Sequence, residues 1–300
     1  MRVFVTGGSG FIGSAVVVEL LGAGHEVVGL ARSDRAAAAL AAAGAEVHRG
    51  SLEDLDSLHR GATAADGVAH LAFDNAAMRT DYVGAAQTDL AAVETMGAAL
   101  DGSGKPFIMT SGTLVLSLAS PGRTGTEDVV PDSSLPRAAS ENAIVSMAER
   151  GVRSSAIRLP PTVHGEGEHG FVPMLIAIAR QTGVSGYVGD GSNRWPAVHR
   201  LDAARLYRLA LESAPVGTRL HAVAEEGIAI REIADAIGTG LGVPVEPIPD
   251  ERAAEHFAFL FLPLSLDNPT SSERTRQLVG WEPKQATLLE DIAAGHYLKE

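Results

Sequence analysis

The run Thr6-Gly7-Gly8-Ser9-Gly10-Phe11-Ile12-Gly13 carries the clearest chemical meaning in this sequence. It follows the apolar stretch Val3-Phe4-Val5 and opens a helical pattern, so it predicts a strand, a tight turn and a helix. Gly7 permits the turn, Gly10 lets backbone approach a pyrophosphate, and Gly13 lets helix and strand pack closely. Free N–H groups at the helix start, near Phe11 and Ile12, then face phosphate oxygens. A glycine turn without a ligand is the competing reading. Placement inside a βαβ unit disfavours it.

The end of the second strand bears on cofactor type. Val27-Val28-Gly29-Leu30 runs into Ala31-Arg32-Ser33-Asp34-Arg35, where NAD proteins usually place an acid for the ribose 2′-hydroxyl. The Arg32 guanidinium and the Ser33 hydroxyl instead offer charge-assisted bonds to a 2′-phosphate. Asp34 competes with that reading, but it also suits the N-cap of the next helix. NADP(H) is favoured over NAD(H).

Other chemistry-bearing residues lie further on. Ser111 and Thr113 fall on the loop after a strand's carboxyl end, where ligands bind in open α/β sheets; an ordinary hydroxyl-capped turn is the alternative. His164-Gly165-Glu166-Gly167-Glu168-His169 has the residue types of a zinc site. No metal is expected; a neutral His164 facing a substrate, able to give or take a proton near neutral pH, is the reading preferred for this run. The apolar stretch 257–264 could roof a pocket, form a subunit contact or fill a core, the last being the default.

The elements that must position these groups follow from periodicity. The first half alternates apolar strand-like runs (2–6, 26–30, 45–48, 67–72, 105–110, 153–159) with helical patterns (11–22, 34–43, 54–60, 80–100, 138–150), the pattern of βαβ units. Gly44 fits a left-handed stop for the second helix. Right-handed crossovers then give a doubly wound parallel sheet, a Rossmann domain over 1–160. Beyond it the alternation weakens, helical patterns remain at 171–182, 201–212, 230–239 and 287–295, and a smaller mixed substrate lobe is expected over 161–300. Its segments interleave with the last Rossmann elements.

Composition narrows the partners. A net charge of −13 over 300 residues disfavours nucleic acid, which needs a basic face. The absence of cysteine removes thiolate catalysis and disulfides and fits a cytoplasmic protein. No apolar segment reaches the roughly 18 residues of a membrane span, and Met1-Arg2 leads straight into a strand rather than a signal peptide. The expected partner is a small-molecule substrate.

These residues resemble the extended branch of the short-chain dehydrogenase/reductase superfamily, the NAD-dependent epimerase/dehydratase type. The resemblance rests on the glycine motif, on His70-Leu71-Ala72, on Thr110-Ser111-Gly112-Thr113, on Arg158-Leu159-Pro160-Pro161-Thr162-Val163-His164-Gly165 and on Val198-His199-Arg200-Leu201-Asp202-Ala203-Ala204. It implies that Leu71, Ala72, Phe73 and Pro160 line the cofactor and that Ser51 and Leu52 flank the adenine, with Ser51 where the family often has Asp. It also implies a catalytic hydroxyl near Gly112, hence Ser111 or Thr113. The helices at 80–100 and 138–150 would make a homodimer contact.

The family's Tyr-x-x-x-Lys pair is missing. The tyrosines are Tyr82, Tyr187, Tyr207 and Tyr297, and none precedes a lysine by four. Arg137 and Glu141 stand where the pair should fall. Arg137 can polarise a carbonyl but cannot give up a proton. Alternatively the two form an i,i+4 ion pair on a helix surface, worth about 0.3–0.5 kcal/mol. The expected activity is NADP(H)-dependent hydride transfer to or from a carbonyl or alcohol of a small organic substrate. In that expectation the Ser111/Thr113 loop holds the oxygen and His164 or a water supplies the proton. The alternatives are an NADP(H)-sensing regulator without redox activity and a sugar-type epimerase or dehydratase.

Overall fold

Side chains alternate across the first strand, β1 (Arg2–Thr6): Val3 and Val5 enter one core and Phe4 the other. A strand buried on both faces needs helices on both sides. The computed structural model, which describes residues 1–74, 76–77 and 80–298, supplies them. The chain continues through α1 (Phe11–Gly22), β2 (Glu26–Ala31), α2 (Asp34–Ala42), β3 (Glu46–Arg49), α3 (Leu55–Thr63) and β4 (Gly67–His70). There follow α4 (Tyr82–Ala99), β5 (Pro106–Gly112), α5 (Leu114–Ala119), α6 (Pro136–Ser146), β6 (Arg153–Leu159), β7 (Thr162–His164) and α7 (Phe171–Thr182). The rest is β8 (Ser185–Val188), β9 (Arg194–His199), α8 (Arg200–Ser213), β10 (Thr218–His221), β11 (Glu225–Ala229), α9 (Ile230–Leu241), β12 (Val245–Ile248), α10 (Asp250–Phe257), α11 (Phe261–Leu264), α12 (Glu273–Val279) and α13 (Leu288–Ala293).

Seven parallel strands form the main sheet in the order β10-β6-β5-β4-β1-β2-β3. The chain steps outward from β1 to β3 and then returns to β4 on the other side of β1. That reversal opens a crevice at the carboxyl ends of β1 and β4, where Thr6 lies opposite His70. One core packs Val16, Val17 and Leu20 of α1 with Leu206 and Tyr207 of α8 against the sheet. The opposite core holds Leu58 of α3, Ala92, Val93 and Met96 of α4, and Ile144 of α6. The doubly wound sheet expected from the sequence is present.

Two departures from the sequence reading bear on the main sheet. β10 joins the sheet beside β6 although Thr218-Arg219-Leu220-His221 has almost no apolar run. Its burial comes from the neighbouring strand and α12, which no local pattern encodes. The N-cap of α2 is Ser33, whose hydroxyl oxygen accepts from the Ala36 amide at 3.2 Å. Asp34 is instead the first helical residue, paired with Arg49 at 2.7 Å. Gly44 ends that helix at φ +91°, the left-handed stop its sequence suggested.

A third core lies beneath β7, β9 and β11, a three-stranded mixed sheet, and the parallel pair β8 and β12. It contains Trp195, Ile230, Ile233, Phe257, Leu260 and Leu264. The Trp195 indole N–H, buried with its ring, donates to the Pro263 carbonyl at 3.1 Å. Of the apolar stretch 257–264, Phe257, Leu260 and Leu264 enter this core, while Ala258, Phe259 and Leu262 are exposed. Among the described residues no helix is long and apolar enough to cross a membrane.

Candidate active site

The glycine turn is held from beneath by a buried ladder. The Ala72 amide donates to Thr6 Oγ1 at 3.2 Å, and Thr6 bonds His70 Nδ1 at 2.6 Å. His70 Nε2 faces Asp89 Oδ1 at 3.1 Å. With Nδ1 accepting from Thr6, the imidazole carries its proton on Nε2 and donates it to Asp89. This ties β1, β4 and α4 together at the switch point.

Gly7 sits at φ +73°, and a Cβ there would lie 2.7 Å from the Ala72 nitrogen. No side chain caps α1, and its N-cap is Gly10. The first-turn N–H groups are therefore available to an anion, with the helix dipole favouring one. This is the cradle a pyrophosphate needs.

Two openings meet at Gly7, Gly10 and Leu71. One, of about 640 Å³, is walled by Arg32, Ser33, Ser51, Leu52, Ala72 and Phe73 among others. The residues that the sequence reading assigned to the adenosine side thus share one opening. The other, of about 370 Å³, runs past Phe11, Ile12 and Gly13 to Leu159, Pro160, Pro161 and Val163. Glu168, His169, Phe171, Met174 and Phe259 close it from the smaller lobe.

The hydroxyls expected to hold a substrate oxygen lie elsewhere. Ser111 is buried and donates to Glu141 Oε2 at 2.6 Å, while Thr113 is fully buried and donates to Asn268 Oδ1 at 2.7 Å. Alternation along β5 turns Thr110 toward the cleft instead. Its hydroxyl donates to the His70 carbonyl at 3.0 Å and lies 2.6 Å from the Tyr207 hydroxyl, which can only be the donor between them. Burial pushes the Tyr207 phenol well above its usual range, so it stays neutral.

His164 is also turned away from the cleft. Val163 faces it, so in strand β7 its neighbours Thr162 and His164 face the opposite side. The His164 ring is completely buried, with Nδ1 2.8 Å from Asp291. Burial, only partly offset by Asp291, pushes its pKa down. The suggested metal run also diverges: His164 turns to Asp291, Glu168 to Tyr297, and His169 lies edge-on to Phe11.

Arg137 and Glu141 do not pair, contrary to the surface ion pair weighed for them. Arg137 donates to the Thr110 carbonyl at 2.6 Å and lies 4.1 Å over the Phe73 ring, bracing the seam between the two openings. Glu141 points inward and is fully buried. Arg158 binds it at 2.5 and 3.1 Å, Arg219 at 2.7 Å, and Ser111 completes the set. Burial pushes this carboxyl up, but the two guanidiniums and Ser111 outweigh it and hold the pKa below the usual range.

Arg158 also donates to His221 Nε2 at 3.1 Å, while the ring's Nδ1–H donates to the Ser271 carbonyl at 2.7 Å. Burial and the Arg158 charge push the His221 pKa down to about 3. A native pKa below the unfolded value means that the unfolded state binds the extra proton. Stability should therefore fall as pH drops below about 6.5, by up to about 1.4 kcal/mol per unit, until the native pKa is reached. Urea midpoints at pH 8 and pH 5 should show the loss, and His221→Gln should shrink it. Equal acid loss in both proteins would clear His221 of that role.

A glycine turn at the strand reversal of a parallel sheet, with an uncapped helix start and a cleft beside it, is the arrangement of a Rossmann-type nucleotide-binding fold. Residues 3–222 match the NAD dependent epimerase/dehydratase family, and the chain belongs to it. It is similar to an uncharacterized protein of Schizosaccharomyces pombe, 52% identical over 99% of this chain and 100% of that one. It is also similar to the 2-alkyl-3-oxoalkanoate reductase of Stenotrophomonas maltophilia, 27% identical over 81% of this chain and 77% of that one. Among solved structures, UDP-glucose 4-epimerase of Thermotoga maritima superposes with a TM-score of 0.77 over 99% of this chain and 98% of that one, at 21% identity.

Sequence reasoning missed the groups that close the pocket. Glu168 was noted only as a possible metal ligand, and its partner Tyr297 lies 129 residues away. Phe259 was visible only as part of the apolar stretch, and nothing local singled out Thr110 over Ser111.

Proposed function

We propose that the protein is an NADP(H)-dependent oxidoreductase acting on the carbonyl or alcohol of a small, largely apolar organic substrate. The observation that carries this reading is the continuity of the two openings across the glycine turn. One has a basic residue and a hydroxyl at its ribose end, the other an apolar wall with a single carboxyl group, Glu168, among the residues that close it. When bound, the nicotinamide supplies or accepts the hydride. The chain's own residues bind, orient and exclude water. The α1 amides hold the pyrophosphate, and Leu71, Ala72, Phe73, Ser51 and Leu52 flank the adenosine. Leu159, Pro160, Pro161, Phe171, Met174 and Phe259 shield the reacting end.

The 2′-phosphate would meet Arg32 and Ser33. Ser33 spends its oxygen lone pair on the Ala36 amide and keeps its proton to donate. Arg32 lies 3.6 Å from Asp74, whose other oxygen is fixed by the Ala76 and Ala77 amides at 3.0 and 2.9 Å. The guanidinium is therefore the partner that swings toward a phosphate. Because the Arg32 side chain is 74% exposed, its contribution is screened. We expect NADPH to bind about tenfold more tightly than NADH, about 1.4 kcal/mol, and Arg32→Ala to erase most of that margin. Fluorescence titration of both cofactors against both proteins measures it. Equal binding of NADH and NADPH by the parent would refute the phosphate assignment.

A cofactor-sensing regulator is the second reading, favoured by the occupation of the Tyr and Lys positions by Arg137 and by a Glu141 locked in a buried ion cluster. A panel of carbonyl substrates separates the two. NADPH oxidation with any of them supports the enzyme, and binding without turnover across the panel supports the sensor.

A further inference from the structure

A carbonyl that takes a hydride at carbon must take a proton at oxygen, and the residues expected to give it are buried away from the cleft. We infer that Glu168 is the proton-transfer residue of this site, held for that task by the hydroxyl of Tyr297. The inference rests on the oxidoreductase reading above.

Glu168 follows β7 on the loop that leads into α7 and lines the cleft beside Gly170 and Phe171. Its Oε2 accepts from the Tyr297 hydroxyl at 2.5 Å. That hydroxyl is itself oriented by the Gly165 amide, which donates to it at 2.9 Å. Tyr297 thus cannot turn away without breaking two bonds. The second carboxyl oxygen, Oε1, is buried and makes no hydrogen bond of normal geometry. The Val172 amide at the start of α7 is its nearby backbone donor; short of a bond of normal geometry, a buried carboxyl oxygen costs free energy unless it carries a proton or meets a ligand. Glu168 lines a pocket whose other walls include Phe11, Ile12, Leu159, Val163, Met174 and Phe259 together with Thr110 and His169. Oε1 is shielded from solvent, so a substrate hydroxyl or carbonyl seated there meets it once the carboxyl turns outward about its bond to Tyr297.

The charged and titratable groups around it come from three elements. Tyr297 lies in the turn after α13, Asp291 in α13 itself, and the Val172 amide in the first turn of α7. His164 and His296 reach the site only through Asp291, at 2.8 and 3.7 Å. His169, next in the chain, packs on Phe11. Burial pushes the Glu168 carboxyl up to about 7, with Tyr297 and Val172 pulling against it and Asp291 adding to it. Burial and the adjoining Glu168 raise the Tyr297 phenol far above its usual range, so it remains a donor.

In reduction, a bound reduced nicotinamide would supply the hydride of the new C–H bond and be left oxidised. The carbonyl π pair takes the proton from Oε1, the carboxyl O–H bond breaks, and Glu168 is left as a carboxylate bonded by Tyr297. Solvent then returns the proton. Oxidation of the alcohol runs the same transfer backwards, with the carboxylate as base.

The sign of the pH dependence follows. Reduction needs Glu168 protonated, so kcat/KM should fall as pH rises through about 7, and alcohol oxidation should rise over the same interval. Glu168→Gln should lower kcat by at least about 10²-fold in both directions. Tyr297→Phe removes a bond that favours the carboxylate, so its reduction limb should move to higher pH, which a merely structural residue would not produce. Independently of turnover, infrared difference spectra of the cofactor-free protein should show a protonated-carboxyl stretch that titrates near pH 7 and is missing in Glu168→Gln. Three results overturn the proposal alone: parental turnover in Glu168→Gln, an unshifted limb in Tyr297→Phe, or a Glu168 that stays ionised throughout. Failure of the parent protein to turn over any carbonyl, with the infrared titration intact, overturns the oxidoreductase reading and the proposal with it.

Discussion

Gly13→Ala is expected to abolish dinucleotide binding while leaving most of the fold in place. A Cβ at this position would overlap the Gly7 carbonyl oxygen, with the Gly7 carbonyl carbon at 2.7 Å and the Gly8 Cα at 2.9 Å. All three are backbone atoms of the turn, so no rotamer change relieves the contact. The turn must move away from α1, and the amides near Phe11 and Ile12 then no longer converge with it on one anion. Each hydrogen bond to a charged group contributes about 1.5–3 kcal/mol, so losing one or two costs about 10²-fold or more in affinity. Fluorescence titration with NADPH, alongside circular dichroism to confirm folding, measures the effect. A folded Gly13→Ala protein within a few fold of parental affinity would mean that the cofactor does not sit on this turn.

Glu141→Gln should produce the largest loss of stability from any single change outside the apolar cores. The substitution keeps the shape but removes the charge shared by Arg158, whose side chain is 0% exposed, and Arg219, at 11%. Breaking a buried ion pair from one side leaves uncompensated charge and typically costs about 3–5 kcal/mol. The amide group also turns a donor toward guanidinium donors. For a chain of this length the expected fall in melting temperature is about 6–15 °C. Glu141 lines neither opening, so NADPH affinity of the folded variant should stay close to parental. The native pKa lies below the unfolded one, so this stabilisation is complete above the usual carboxylate range and is lost as pH falls through the native value. A parental melting temperature would show that Arg158 and Arg219 find equivalent partners without the carboxylate. A large loss of NADPH affinity would show instead that Glu141 supports the cofactor.

The glycine turn and the open helix start were legible in the sequence because their requirements are local. A strand, a glycine turn and a helix start occupy one continuous run, and each glycine answers a constraint within a few residues of itself. Gly7, Gly10, Phe11, Ile12, Gly13, Arg32 and Ser33 therefore line the openings where their order in the chain put them, with Thr6 buried beneath the turn. The alternation of apolar strands with helical patterns likewise determined the doubly wound sheet, because burial on both faces leaves a parallel strand few other homes. What only the tertiary structure decided is the direction of each polar side chain near the reaction centre. A one-residue step along β5 puts Thr110 in the cleft and Ser111 behind it, and the same step along β7 does so for Val163 and His164. No pattern of residue types distinguishes the two faces of a strand when both carry a plausible catalyst. The partners are equally non-local: Glu141 meets Arg219 of β10 across 78 residues, and Glu168 meets Tyr297 across 129. A carboxyl group becomes a buried ion-cluster anchor in one case and a protonatable cleft residue in the other. The difference lies in whether guanidiniums or a phenol stand opposite it, which the folded chain alone brings about.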